Sequence, residues 1–247
     1  MIRMWLMIAI NAIRLLYLVP IMSYRAKHPE RYSEESSYKF ARYIVKTMKL
    51  TGIIRTKCYG QENLPKEGGY MMYPNHQGKY DVYGIVSVHP KPCTFVIDEN
   101  KSNDIFVKQV SDMLHAKRLD KEDLRQGITI INEVAKEVTE GRRYILFPEG
   151  QYVTENKNKM GEFKAGCFKI SLKSKTPIVP VVLVDSYKVF NGFYPTGIMA
   201  KSEVHFLPPI QHEEYKDMKT REIAEVVKKR IQDKLEGSNE KLNSGSS

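Results

Sequence analysis

From residue 53 onward the chain alternates between short apolar runs bounded by turn residues and longer stretches with helical periodicity. The runs at 53–59, 70–73, 93–97, 143–147, 178–184 and 204–207 have the length and the β-branched or aromatic content of strands. Between them, 81–88, 103–114, 122–140 and 167–173 read as helices, and Gly141 is a natural stop for the third. Strands apolar on both faces must be covered by helices on both faces, so this alternation restricts the fold to an α/β layer structure. We predict one α/β domain over 51–236, with a central, mostly buried sheet flanked by helices. A chain of 247 residues builds one such core more readily than two. A basic amphipathic helix over 217–235 carries Ile223, Val227, Ile231 and Leu235 and is expected to pack on the sheet. The Ser-, Asn- and Gly-rich stretch 237–247 is expected to be a disordered tail.

Ahead of that domain, 1–50 reads as two amphipathic helices for membrane docking. Arg3 and Arg14 leave only ten residues between them, whereas a spanning helix needs about 20 apolar residues. Arg14 would sit near the middle of a span over 4–22, at a cost of about 2.5 to 3.5 kcal/mol. No A-x-A cleavage site follows, which argues against an exported precursor. On a helical wheel Arg3, Asn11 and Arg14 fall within roughly 80°, while Trp5, Ile8, Ala12, Leu16 and Val19 take the opposite side. Such a helix suits the bilayer interface with its arginines outward, or else the protein's own core. Pro20 and the His28-Pro29 pair mark a break, after which Ser33 or Ser36 could cap a second helix carrying Phe40, Ile44 and Met48.

The 39 basic against 29 acidic residues leave a net charge of +10, which favours an anionic partner: nucleic acid, phospholipid surface or phosphorylated substrate. No basic stripe interleaved with stacking aromatics is present, so no nucleic-acid partner is expected. Cys58, Cys93 and Cys167 show neither disulfide nor zinc spacing, which fits a reducing compartment. The six histidines include no i, i+4 pair, and no metal or bound cofactor is expected.

The chemistry concentrates where the second strand ends. Residues 73–81 read Tyr-Pro-Asn-His-Gln-Gly-Lys-Tyr-Asp. On a regular helix His76 and Asp81 would lie about 140° apart and could not meet. They can meet if 75–79 is a loop and Asp81 opens the next helix. The carboxylate then fixes the imidazole tautomer and leaves the other nitrogen as a general base. A second strand ends in Phe147, Pro148, Glu149 and Gly150, at the kind of strand end where α/β proteins build their sites.

Together these segments resemble the glycerolipid acyltransferase family, which includes the 1-acyl-glycerol-3-phosphate acyltransferases. Its NHxxxxD block matches Asn75, His76 and Asp81, and its FPEG block matches Phe147, Pro148, Glu149 and Gly150. The stretch 119–126 looks like the second block and 177–181 like the fourth, preceded by Phe163, Lys164, Ala165 and Gly166. The likeness covers about residues 60–208, with four blocks in order. It implies His76 as base and Asp81 as its orienting partner. It also implies a substrate site drawn from Asn75, Arg118, Lys121, Phe147, Pro148, Glu149, Gly150, Lys164 and Pro180. The implied acceptor is a lysophospholipid, first 1-acyl-glycerol-3-phosphate. The implied donor is acyl-CoA or acyl carrier protein, and the implied place is an anionic membrane surface on the cytoplasmic side, with the protein peripheral or monotopic. No G-x-S-x-G elbow is present and no cysteine stands beside the His block, which favours direct attack without an acyl-enzyme.

The chain departs from the pattern in two blocks. Gln151 and Tyr152 stand where the family usually continues with threonine and arginine, and Lys121 takes the place of an arginine, with Arg118 three residues away. A lysine meets phosphate as a point charge without the bidentate fork. Another lysolipid or polar-lipid acceptor, a non-catalytic membrane-binding member of the fold, and a hydrolase therefore stay open as alternatives.

Overall fold

Two apolar runs, Tyr70–Pro74 (β2) and Ile178–Val184 (β6), are buried along their whole length and pair in parallel at the centre of the sheet. The computed structural model describes residues 2–103, 106–152, 157–190 and 198–244. The remaining strands are β1 (Ile54–Tyr59), β3 (Thr94–Asp98), β4 (Lys117–Leu119), β5 (Arg143–Ile145) and β7 (Ala200–Phe206). They complete a seven-stranded sheet in the order β1-β7-β6-β2-β5-β3-β4, parallel throughout except between β6 and β7. Parallel neighbours require crossovers. These are α4 (Asp81–Val88), the short α5 (Glu99–Ser102), α6 (Val107–Met113), α7 (Leu124–Thr139) and α8 (Lys169–Ser174). Two further short helices, α9 (Tyr187–Phe190) and α10 (His212–Tyr215), precede the long α11 (Thr220–Ser244).

Strand alternation divides most of the interior into two cores, beside a smaller cluster of Met7, Ile54, Tyr80, Val189 and Ala200. Tyr70 and Met72 of β2 point into one, with Tyr38, Ile44, Ile85 and Phe206; Met71 and Tyr73 point into the other, with Val134, Phe168, Val227 and Ile231. The expected α/β domain with a covered sheet is thus observed, and α11 packs on β6 as foreseen. Several boundaries move. β4 has no apolar run to announce it, because its three residues are only half-buried. β7 begins earlier than 204, since its outward positions are the polar Lys201 and Glu203. α6 starts at Val107 rather than 103, and 104–105 lie outside the described residues. α11 continues to Ser244, so the backbone of 237–244 is helical rather than the start of a structureless tail.

The first fifty residues differ most from expectation. Instead of one continuous helix, α1 (Ile2–Ile10) and α2 (Ala12–Lys27) meet at an 83° bend, and Pro20 lies inside α2 without ending it. Asn11 makes the corner: its Nδ2 donates to Met7 O at 2.8 Å and to Thr51 Oγ1 at 2.8 Å, tying the bend to the end of α3 (Glu34–Thr51). Gly52 leaves the space that Met7 fills, and a Cβ there would collide with the Met7 sulfur. Arg3 is buried and points inward, donating to Gly52 O (3.0 Å), Ile53 O (3.3 Å) and Ile198 O (2.8 Å), which corrects the expectation of an outward side chain there, whereas Arg14 is exposed as expected. The apolar side faces out instead: Trp5 is 63% exposed, Ile13 79% and Leu16 78%, with Leu6, Ile10 and Tyr17 beside them. No single helix among the described residues is long and apolar enough to cross a membrane, although α1 and α2 together pass that test of length and composition. α3 is capped by Ser33, whose side chain accepts from Ser36 N, and it contributes Tyr38, Ala41 and Ile44 to the main core. Residues 1–50 are therefore built into the domain and do not stand apart from it.

Candidate active site

The carboxyl ends of β5, β2 and β6 emerge side by side at one edge of the sheet, and the segments after them meet there. Pro74 closes β2, having no N–H with which to continue the ladder. Asn75 then locks the departing loop to β6, donating from Nδ2 to Leu183 O (3.0 Å) and accepting at Oδ1 from Leu183 N (2.7 Å). Both ends of its buried amide thus engage Leu183, and Asn75 clamps the His loop to the backbone of β6. Pro180 is likewise inside β6, opposite Tyr73, with its carbonyl accepting from Leu207 N at 3.0 Å. It lies within the sheet, not at its ligand-bearing edge.

His76 and Asp81 meet as the loop-then-helix reading requires. Asp81 is the first residue of α4, and its Oδ2 lies 2.7 Å from His76 Nδ1. A carboxylate only accepts, so Nδ1 carries a proton, and in the neutral imidazole Nε2 is the nitrogen that keeps its lone pair. Nε2 has no hydrogen-bond partner among the described residues, and the His76 side chain keeps 17% exposure. The same Oδ2 accepts from Gln77 N (2.6 Å) and Gly78 N (3.0 Å), while Oδ1 faces Ser186 Oγ at 2.5 Å. Asp81 is wholly buried, and these donors take the place of water.

The strand after α7 supplies the other wall. Phe147 stacks on the His76 ring at 4.0 Å and Tyr152 meets it edge-on at 4.8 Å. Glu149 reaches back to the His loop: Oε1 accepts from His76 N and Oε2 from Gly161 N, each at 2.8 Å. Burial pushes its carboxyl above the usual range, against the pull of those two N–H donors. Both oxygens of Glu149 are thus used to hold the site together. Pro148 O accepts from Lys164 N at 2.8 Å, and the Lys164 side chain lies over Gly150, where a Cβ would come within 3.1 Å of Nζ. Gly150 has φ +70, a conformation that suits glycine and brings the chain round beneath that lysine.

Two expected phosphate ligands are not brought to this cluster. Arg118 sits on β4 with Nε donating to Ser102 Oγ (3.0 Å) and its guanidinium paired with Asp112. Lys121 pairs with Asp98 at 2.5 Å. β4 is the far edge of the sheet, separated from β2 by β5 and β3, or about 14 Å at the usual strand spacing. Residues the sequence reading passed over are Ser186, the Gln77 side chain, Asn158 and Gly161. Only Ser186 carried a signal, its place just beyond the carboxyl end of a buried strand. Among the described residues no group of three or more His, Cys, Asp or Glu side chains is placed to hold a metal.

Comparison with known proteins matches residues 55–184 to the family described as Acyltransferase. The 1-acyl-sn-glycerol-3-phosphate acyltransferase of Saccharomyces cerevisiae is 29% identical over 199 residues, covering 79% of this chain and 64% of that protein. The human 1-acyl-sn-glycerol-3-phosphate acyltransferase alpha is 26% identical over 201 residues, covering 79% and 66%. The chain thus spans a little under two thirds of these relatives. The crystal structure of the 1-acyl-sn-glycerophosphate (LPA) acyltransferase from Thermotoga maritima superimposes with a TM-score of 0.74 at 18% identity, covering 95% of this chain and 94% of that one, and so shares its fold.

Proposed function

The chain belongs to the Acyltransferase family, and from that premise we propose that it moves a fatty acyl group from a thioester to the free glycerol hydroxyl of 1-acyl-glycerol-3-phosphate, making phosphatidic acid. The names of its relatives support the acceptor. The observation that carries the chemistry is the 2.7 Å contact between His76 Nδ1 and Asp81 Oδ2, which in the neutral imidazole makes Nε2 the basic nitrogen and turns it to a substrate. Nε2 takes the hydroxyl proton as the oxygen attacks the thioester carbonyl. The carbon–sulfur bond then breaks, and the departing thiolate recovers the proton from His76. A thioester is activated enough that base catalysis, worth roughly 10² to 10⁴, together with positioning of both substrates, is sufficient. The donor is acyl-CoA or acyl carrier protein.

The exposed apolar face of α1 and α2 supports work at an anionic membrane surface, with the chain peripheral or monotopic on the cytoplasmic face. Tyr152 against His76, where the family usually carries threonine and arginine after the glycine, favours testing other lysolipid acceptors beside the phosphate-bearing one. The test is thiol release from an acyl-CoA on vesicles with and without 1-acyl-glycerol-3-phosphate, for the wild type and His76→Ala. Release that needs both acceptor and His76 is expected. Release without acceptor would make the protein a thioesterase, and full activity in His76→Ala would remove the histidine from the mechanism.

A further inference from the structure

We infer that Ser186 is a positioning residue for the reaction: its hydroxyl holds the free oxygen of the Asp81 carboxylate and so sets the orientation and basicity of His76. The inference rests on the reading of His76 as the base. Ser186 lies outside all four blocks of the family resemblance, at the corner between β6 and α9, and is 2% exposed. Its Oγ is 2.5 Å from Asp81 Oδ1 and 2.9 Å from Gln77 Oε1, but a hydroxyl has one proton to give. Gln77 Oε1 already accepts from Ser186 N at 2.9 Å. Oδ1 of Asp81 has no other donor among the described residues, and the shorter contact to the carboxylate has the length of a charge-assisted bond. The proton belongs on Asp81.

The corner is shaped to make that contact. Asp185 adopts φ +60, a left-handed conformation that a non-glycine residue keeps only when its surroundings hold it there. Here Asn158 holds it, donating from Nδ2 to Asp185 Oδ1 (3.1 Å) and accepting at Oδ1 from Asp185 N (3.0 Å), while Lys188 pairs with Asp185 at 2.7 Å. The turn aims Ser186 at Asp81. Gln77 Nε2 donates to the same Asn158 oxygen at 2.8 Å and to Leu183 O at 2.9 Å, so the corner and the His loop are one hydrogen-bonded unit.

Among the described residues, three donors serve Oδ2 of Asp81 and Ser186 alone serves Oδ1. Without the hydroxyl, Oδ1 is a buried oxygen with no donor. The carboxylate then draws more strongly on the protonated imidazole, so the base becomes free only at higher pH. It also loses the contact that fixes its rotation, and the imidazole loosens with it. Among the described residues, the other titratable groups around the pair are Glu149 and Tyr152 after β5, Tyr80 before α4, and Asp185 beside Ser186 with its partner Lys188, all retained when Ser186 alone is changed.

The experiment compares wild type, Ser186→Ala, Ser186→Thr and Asp81→Asn in the full chain, assayed with an acyl-CoA and 1-acyl-glycerol-3-phosphate on phosphatidylglycerol vesicles. In Ser186→Ala, kcat should fall about tenfold or more, as expected for a lost hydrogen bond to a charged group. KM for both substrates should hold, and the acid limb of kcat/KM should move to higher pH. Ser186→Thr keeps the hydroxyl and should recover most of the rate and the wild-type limb. Proton NMR supplies a readout independent of turnover. The downfield Nδ1 proton of His76, identified by its loss in His76→Ala, should shift in Ser186→Ala and return in Ser186→Thr. A wild-type rate, limb and Nδ1 resonance in Ser186→Ala would overturn the proposal, as would equal rate losses in the alanine and threonine variants with an unmoved limb. If no acceptor supports turnover in the wild type, the proposed function fails while the resonance still decides the Ser186 contact.

Discussion

Asp81 illustrates what governs the site at the scale of single residues: a carboxylate removed from water survives by finding donors, and here each donor lies within the folded chain. Asp81→Asn places an amide where the backbone of Gln77 and Gly78 and the imidazole all present N–H groups. The tautomer of His76 is then no longer held, and activity should fall by about 10² to 10⁴ with the fold intact, read as thiol release beside a circular dichroism melt. Glu149 shows the reverse balance. Two N–H bonds do not fully offset its burial, so its carboxyl stays above the usual range. Because the folded state holds that proton more tightly than the unfolded chain, Glu149 ionisation weakens the fold as pH rises through the folded value. Glu149→Gln cannot accept at both ends, and leaves His76 N or Gly161 N facing an amide donor. It should lower both the melting temperature and the rate, whereas unchanged values of both would show that Glu149 does not hold the loop.

At the scale of elements, two assemblies carry consequences of their own. α1 and α2 are anchored by polar groups turned inward, Arg3 on the backbone carbonyls of Gly52, Ile53 and Ile198 and Asn11 on Thr51, and this leaves their apolar side exposed. Replacing Trp5 and Leu16 together by Asp should abolish co-sedimentation with anionic vesicles while leaving the melting temperature near wild type, because neither side chain packs in a core. On another side of the domain, Glu137 of α7 joins Lys117 of β4 (2.7 Å), Tyr144 of β5 (2.5 Å) and the guanidinium of Arg142. Burial alone would raise its carboxyl, but donation from Lys117, Tyr144 and Arg142 outweighs it and the net shift is downward. Stability from this group is therefore complete above the unfolded carboxylate value of about 4.3 and disappears as pH falls through the folded value. Thermal melts between neutral pH and about pH 3 should show Glu137→Gln less stable than wild type at neutral pH and less sensitive to acid. Parallel curves would exclude the network as a source of acid sensitivity.

At the scale of the whole molecule, the sheet separates two cores that share strands but few side chains. Ile44 on one side and Ile231 on the other are both fully buried. Each Ile→Val change should cost about 0.5 to 1.5 kcal/mol, and the double variant should equal the sum to within about 0.5 kcal/mol in denaturant unfolding. A larger departure would mean that the sheet transmits strain between its faces. The parallel centre also explains where the site lies. β5, β2 and β6 all run the same way, so the loops at their carboxyl ends are delivered to one edge, and His76, Glu149 and Ser186 arrive there from distant parts of the chain.

By itself, the sequence determined what is local. Apolar periodicity defined the strands and helices around β2 and β6, Ser33 or Ser36 marked the start of α3, and the spacing from His76 to Asp81 allowed contact only through a loop followed by a helix start. These features depend on neighbours a few residues away, so they are written in consecutive positions. Tertiary structure alone decided which polar groups became partners. Arg118 and Lys121 were claimed by Asp112 and Asp98, Asn75 by Leu183, and Arg3 by the carbonyls of Gly52, Ile53 and Ile198. It also turned the apolar side of α1 and α2 outward and brought Ser186 onto Asp81 from 105 positions away. The physical reason is that a buried polar group must be satisfied by whatever lies within about 3 Å of it, and that neighbourhood is set by strand order and crossovers that no local pattern encodes.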